Sequence, residues 1–370
     1  MAKVLGRRAG ISPVLATLTL IIIAVVAGIL VYAWMSGWLK LQMTRAEELQ
    51  IEDVTVINGH VRVKVRNTGG AKAIVEWASV DDGPIYNVRV AVSPGSTSYV
   101  DIPYAWTYKS QYKVWLKTER GTELEGTYPV YSPRTPYCLK FDGEDDYAML
   151  PDPMRGFPSG SMTLEAWVKG YGVVFDEQGS GAPSSTYHNA QIEVLSDGTV
   201  KMGVWGYGGD YAAILDCGKI DVGRWNHLVL TYDDTTGELR GYVNGQLKDS
   251  ATGVSRNPGD ATTYVIGYGD STNLGEGKFF SGLIDEVRIY NRALSAEEVV
   301  NNYKGFVTQD GLVCWHTLDS TWGDLSDYDN DLTTSGTSWY SPGVTQEDVG
   351  EGGALAFVMA LGVARPIKVF

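Results

Sequence analysis

Gly282-Leu283-Ile284-Asp285-Glu286-Val287-Arg288-Ile289-Tyr290-Asn291-Arg292-Ala293-Leu294-Ser295 is the stretch on which the fold turns. It reads as a strand up to Tyr290, a turn at Asn291-Arg292, and a helix start at Ser295, with Glu298 three residues on to close a capping box. Strands of the same kind precede it: Cys138–Tyr147, Met162–Lys169, Gln191–Leu195, Val200–Trp205, Gly223–Tyr232 and Leu239–Gly245. Asp142-Gly143, Asp197-Gly198 and Asn244-Gly245 separate them as tight turns. The bare pattern is a large sandwich of two antiparallel sheets. Composition agrees, because 44 Gly, 22 Tyr and 11 Trp favour antiparallel β structure over helical bundles.

In wording, these segments resemble the laminin-G/pentraxin-type concanavalin A-like lectin family. The resemblance covers about residues 135–305, with five separated motifs in family order, and sets a domain at 133–305. It implies a sugar site of aromatic platforms beside polar loop residues. Trp205, Tyr207, Asp210 and Tyr211 supply both, with His188 in a facing loop; packing on the sandwich face is the structural alternative. It also implies a place for calcium. Asp142, Asp145 and Asp146 cluster in one turn, and Asp285 lies in the strand the family pairs with the opening one, so hard oxygens would gather there. A solvated acidic turn is the plainer reading. Related glucanases use an E-x-D-x-(x)-E strand that this chain lacks, so a binding module is expected and no catalytic residue is assigned. Gly311–Asp319 resembles the family's first strand, and Gly353–Phe357 echoes Cys138–Phe141. Residues 306–370 are therefore a partial repeat or a strand that completes the lectin-like domain. If Gly311–Asp319 docks beside the opening strand, Cys138 and Cys314 form a disulfide and Cys217 stays free.

The amino end tells a separate story. Lys3, Arg7 and Arg8 precede Ala9-Gly10 and Ile11-Ser12-Pro13-Val14, and no charge follows until after Trp38. That run exceeds the roughly 20 residues a membrane helix needs, and the basic flank keeps the amino end cytoplasmic. The junction resembles the class III signal of archaeal type IV pilins, whose peptidase cuts before the apolar helix. By that resemblance residues 1–10 are the signal and the cut falls between Gly10 and Ile11. Helix formers continue to Leu49, so the helix is expected over 11–49, about 58 Å. At Ile51 the period becomes two. Val61-Arg62-Val63-Lys64-Val65-Arg66 alternates apolar and basic, and about seven short strands fill 50–132. That resembles the immunoglobulin-like head of archaeal pilins and flagellins.

The fold expected is mainly β with one long N-terminal α-helix, a small immunoglobulin-like sandwich, then a larger concanavalin A-like (jelly-roll) sandwich. The net charge of -14 argues against nucleic acid as a partner. The function expected is a structural subunit of an archaeal type IV pilus-like filament with an outward lectin-like head. Its partners would be a homopolymer through the helix, the prepilin peptidase and assembly machinery, surface glycans, and the membrane before assembly. A membrane-anchored surface lectin that never polymerises is the alternative, and a surface glycan hydrolase is disfavoured. Calcium is the one cofactor expected.

Overall fold

The computed structural model describes residues 13–43, 46–57, 59–105, 111–129, 137–183, 188–269, 274, 279–345 and 348. Gly10 and Ile11 lie outside the described residues. Helix α1 spans Pro13–Met43, about 46 Å at 1.5 Å per residue. It ends short of Leu49, because Leu49 already opens a strand. Thr17 turns its hydroxyl onto the Val14 carbonyl at 3.0 Å, the ordinary way to satisfy it in an apolar helix. The described large apolar side chains of α1 are 47–77% exposed, and the segment Thr17–Gly37 is long and apolar enough to cross a membrane.

Seven strands follow: β1 (Leu49–Ile57), β2 (His60–Asn67), β3 (Ala73–Val80), β4 (Tyr86–Val92), β5 (Thr97–Pro103), β6 (Gln111–Thr118) and β7 (Glu123–Pro129). They form a three-stranded sheet, β1-β2-β5, over a four-stranded one, β4-β3-β6-β7. The alternation in β2 decides its orientation. Val61, Val63 and Val65 are fully buried, while Arg62 pairs with Asp101 and Lys64 with Glu52 on the wet face. Asn67 ties the layers together, donating its amide to the carbonyls of Ala71 and Val92. The residues after α1 are held by this sandwich. Thr68 and Gly70 donate to the carbonyls of Glu48 and Ala46, and the Glu47 carboxylate accepts from the hydroxyls of Thr118 and Thr122.

The larger sandwich contains β8 (Cys138–Asp142), β9 (Tyr147–Met149), β10 (Met162–Gly179), β11 (His188–Val194), β12 (Thr199–Trp205), β13 (Tyr211–Lys219), β14 (Asn226–Asp233), β15 (Glu238–Val243), β16 (Gln246–Ala251), β17 (Ala261–Ile266), β18 (Ser281–Tyr290), β19 (Leu312–His316), β20 (Thr333–Ser335) and β21 (Ser338–Tyr340), with helix α2 (Ala296–Tyr303) after β18. Strand β10 belongs to both layers. Its first half pairs with β14 and β18, and its second half with β11 and β17. It changes layer at Gly170 and Gly172, both at positive φ, where a Cβ would meet the carbonyl oxygens of Ser281 and Phe279 at 2.2 and 2.3 Å. The interior between the layers is apolar, with Leu164, Phe175, Ile192, Leu230 and Ile289 among its buried members. The described part of 306–370 enters these sheets: β19 pairs with β18, β20 with β9, and β21 with β8. The capping box of α2 is formed in both directions.

The two sandwiches share a second apolar layer. Trp167, Tyr290, Val307 and Trp315 of the larger one join the same buried cluster as Val61, Tyr104 and Tyr112 of the smaller one. His60 lies 5.2 Å from Trp315, and Tyr104 5.5 Å from Phe306, by ring centroids. Ala105 donates its amide to the Gly305 carbonyl at 2.9 Å.

Candidate functional site

The β12–β13 hairpin carries the aromatic loop. Trp205 faces Tyr211 across the ladder, and the rings meet edge-on with centroids 5.4 Å apart at 75°. The Tyr211 hydroxyl donates to the Ala190 carbonyl at 2.7 Å, and its ring packs against Val173, Ala190 and Leu274. Asp210 uses one carboxylate oxygen to accept the Tyr211 amide at 2.8 Å. Trp205 and Tyr211 are thus partly engaged in packing, whereas Tyr207 is 73% exposed at the tip. Such a tip, an exposed phenol ring followed in sequence by Gly208 and Gly209, can stack on a flat apolar face. His188 lies in β11 opposite Gln178; its side chain is outside the described residues.

The acidic turn gathers differently from expectation. Asp142, Asp145 and Asp146 each offer a carboxylate oxygen within 4.8 Å of the others. Asp142 accepts the amides of Glu144 and Asp145, and Asp146 accepts the Asp142 amide. Burial raises the Asp146 carboxyl above its ordinary range. Asp285 is not with them. The β8–β18 register sets Asp142 opposite Ser281, four residues and so about 13 Å along the strand from Asp285. Asp285 is 1% exposed, accepts the amides of Glu286 and Val344, and is pushed well above its ordinary range by burial and by Glu286. Asp285 therefore leaves the expected set, and Asp142, Asp145 and Asp146 remain. These three fit a hard cation in donor chemistry.

The same register removes the expected disulfide. All three cysteines are free and buried. Strands β8 and β19 lie end to end along one edge of β18, with Leu139 opposite Ile284 and Cys314 opposite Ile289. Cys138 is therefore about four residues, roughly 13 Å, from Cys314, beyond the reach of a disulfide.

Sequence reasoning missed a buried ionic network behind the sheet. The Arg288 guanidinium lies between Glu165 and Glu286, bonded to both and fully buried. His227 is 3.1 Å from Glu165, Asn302 of α2 donates to Glu165 at 2.6 Å, and the Trp315 indole donates to Glu286 at 3.1 Å. One guanidinium cannot neutralise two buried carboxylates. Burial alone would raise Glu165, but Arg288 and His227 outweigh it and bring it down to about 2. Burial prevails at Glu286 despite Arg288, and that carboxyl rises to about 7. A second buried pair, Glu177 with Arg256, sits in the other layer, where burial raises Glu177. The available signal was the occurrence of Glu165 and Arg288 inside strands with no wet face. None of these four carboxyls, Glu165, Glu177, Asp285 and Glu286, is more than 3% exposed.

Comparison with known proteins finds likeness in the larger sandwich. Residues 142–300 match the concanavalin A-like lectin/glucanases superfamily, in its laminin-G branch. A rat protein described as a sushi, von Willebrand factor type A, EGF and pentraxin domain-containing protein is 32% identical over 93 residues; these are 23% of this chain and only 3% of the rat protein. Among solved structures, a heptameric pentraxin of Limulus polyphemus is 16% identical with a TM-score of 0.40, covering 54% of this chain and 95% of its own. A putative carbohydrate-binding protein of Bacteroides ovatus is 15% identical with a TM-score of 0.42, covering 80% of this chain and 98% of its own.

Proposed function

We propose that the chain is a subunit of a pilus-like surface filament whose helix α1 packs in the filament core and whose concanavalin A-like head binds carbohydrate. Residues 142–300 form a domain of the lectin/glucanase superfamily, and the exposed Tyr207 tip beside Trp205 is its stacking surface. The closed-off carboxylates favour binding over hydrolysis, since general acid and nucleophile must both reach the sugar. The observation that carries the filament part is α1 itself. It is apolar on every side and its described large apolar side chains from Val14 to Met35 are exposed, so it needs lipid or other helices around it. Lipid serves the precursor, and sister helices serve the polymer. In this reading a prepilin peptidase cuts between Gly10 and Ile11, the pilus assembly machinery extracts the subunit, and the acidic turn of Asp142 and Asp145 is the place for calcium.

One experiment tests both parts: electron microscopy and glycan-array binding on material sheared from the cell surface. Leu20→Asp is expected to leave the precursor in the membrane and remove filaments, because an unpaired charge is costly in a packed helical core. Tyr207→Ala is expected to leave filaments and remove the signal for uncharged glycans. Normal filaments with Leu20→Asp would leave a membrane-anchored lectin that never polymerises; unchanged array binding with Tyr207→Ala would move the sugar site elsewhere.

A further inference from the structure

The outer face of the sheet that holds β10, β18, β8 and β21 packs against α2 and the small sandwich through Trp167, Tyr290 and Val299, but one end of it is open. There a cleft of about 610 Å³ opens over Lys140, Lys169, Tyr171, Leu283 and Tyr340. Register explains its chemistry. Lys169 pairs with Leu283, Leu283 with Lys140, and Lys140 with Ser338, so these four share one face in a row across four strands. Paired residues in neighbouring strands are about 4.8 Å apart, which sets the two lysine backbones roughly 10 Å apart with Leu283 between them as an apolar floor. The next row on that face is Tyr171, Ser281 and Asp142. Tyr171 and Tyr340, 44% and 45% exposed, stand at diagonally opposite corners.

The lysines stand out against the rest of the head. The chain carries an excess of 14 acidic charges, and most described cations of the head find carboxylates, Lys248 being an exception that donates to the Gln246 amide oxygen. Arg155, Arg224, Arg240, Arg256, Arg288 and Arg292 each lie within 4 Å of one. Lys201 and Lys219 do too. Among the described residues Lys140 and Lys169 have no such partner, although both face one cleft. Two ammoniums with no carboxylate within 4 Å, beside two exposed aromatic rings, match a ligand that carries both negative charge and flat C–H faces, although Lys140 also feels the field of Asp146. Asp142, at the rim beyond Lys140, would repel a charge placed there, which favours seating the anion at the Lys169–Lys140 row. The acidic surround disfavours a long polyanion, whose far charges it would repel.

We infer that this cleft is a second binding site, for a short saccharide bearing carboxylate or sulfate groups. The saccharide part rests on the carbohydrate-binding reading of the head; the anionic part rests on the lysine pair alone. The test is calorimetric titration of the full chain in detergent micelles with hexagalacturonate, a sulfated glucan oligomer, uncharged maltohexaose, inorganic sulfate and a single-stranded DNA oligomer. One of the two anionic saccharides is expected to bind and to weaken as salt is raised. Maltohexaose should bind at least about tenfold more weakly, and the double variant Lys140→Met, Lys169→Met and the single Tyr171→Ala should each cost about tenfold in affinity for the anionic one. These side chains are solvent-facing, and circular dichroism verifies that the variants remain folded. Equal binding of maltohexaose, no saccharide binding, or no loss in the lysine variant overturns the proposal. So does a pattern in which sulfate or DNA competes on equal terms and Tyr171→Ala changes nothing, because the patch would then read charge only. Tyr207→Ala is expected to leave this titration unchanged, so the outcome does not depend on the loop site.

Discussion

In the small sandwich Arg62 grips Asp101 with two bonds of 2.6 and 2.7 Å, yet both side chains remain more than a third exposed. In the large one Glu165, Glu177, Arg256, Glu286 and Arg288 are at most 3% exposed. The first places charge where water still screens it and, among its described buried side chains, keeps only uncharged ones: Val, Ile, Leu, Ala and Tyr with Asn67, Ser79 and Thr118. The second brings charge inside and then has to satisfy every oxygen and nitrogen it can reach. A surface pair contributes little whether present or absent; a buried set stabilises only while complete, and removing one member leaves the others uncompensated. The network also has a place in the architecture. It lies under α2 and Trp315, where the large sandwich meets the small one, so it fixes which face of the sheet receives the neighbouring domain.

The largest effect should come from breaking that set. Arg288→Met would strand Glu165 and Glu286 in the interior and is expected to cost about 3–5 kcal/mol in the chemical unfolding of the detergent-solubilised chain. Trp167 and Trp315 are fully buried nearby, so tryptophan fluorescence should report it. A loss below about 1 kcal/mol would mean the charges are not the fastening they resemble.

Next in size is the response to pH, which separates the two carboxyls that share Arg288. Glu165 is brought from an ordinary 4.5 down to about 2. Its contribution is complete above 4.5 and is lost as pH falls toward 2, on the order of 3 kcal/mol. Glu286 runs the other way. Raised from 4.5 to about 7, it holds a proton in the fold that the unfolded chain has already released, so its contribution is complete below 4.5 and disappears as pH rises through 7. Melting temperature should therefore peak near pH 4.5–5 and decline on both sides, with Glu286→Gln flattening the alkaline limb and Glu165→Gln the acid one. A profile that rises steadily to pH 8 would contradict the division of labour between them.

The smallest effect is the control from the other sandwich. Arg62→Ala removes an exposed pair and is expected to change stability by less than about 1 kcal/mol, measured in the same unfolding series.

What was legible in the sequence follows the same divide. The strands of the small sandwich could be read because each has one dry and one wet face, so Val61 to Arg66 spells out its own orientation. The α2 start was readable because Ser295 and Glu298 cap within one turn. The sandwich class of the large domain was readable from wording and turns. Its long-range register was not. The pairing of β8 with β18 was anticipated, but a four-residue difference in where they meet separates Asp285 from Asp142 and Cys138 from Cys314. Register in a sheet buried on both faces has no polar alternation to announce it. Lys140 and Lys169, 29 positions apart in the chain, share a face only because β18 lies between them.

The shared apolar layer between the sandwiches has a mechanical consequence. A ligand held by the head and pulled by flow puts tension on the chain between the cleft and α1. That tension bears on the apolar layer the two sandwiches share. It meets the interlocked rings of His60 with Trp315 and Tyr104 with Phe306, which must slide past one another before the two bodies can separate. Contacts spread over an area and loaded sideways yield together rather than one by one. At the far end, Ala46 and Glu48 are fastened by backbone bonds to the 68–70 turn, so the pull reaches the root of the helix through the small sandwich. A pull on the large sandwich therefore reaches Ala46 and Glu48 through packed rings and backbone bonds.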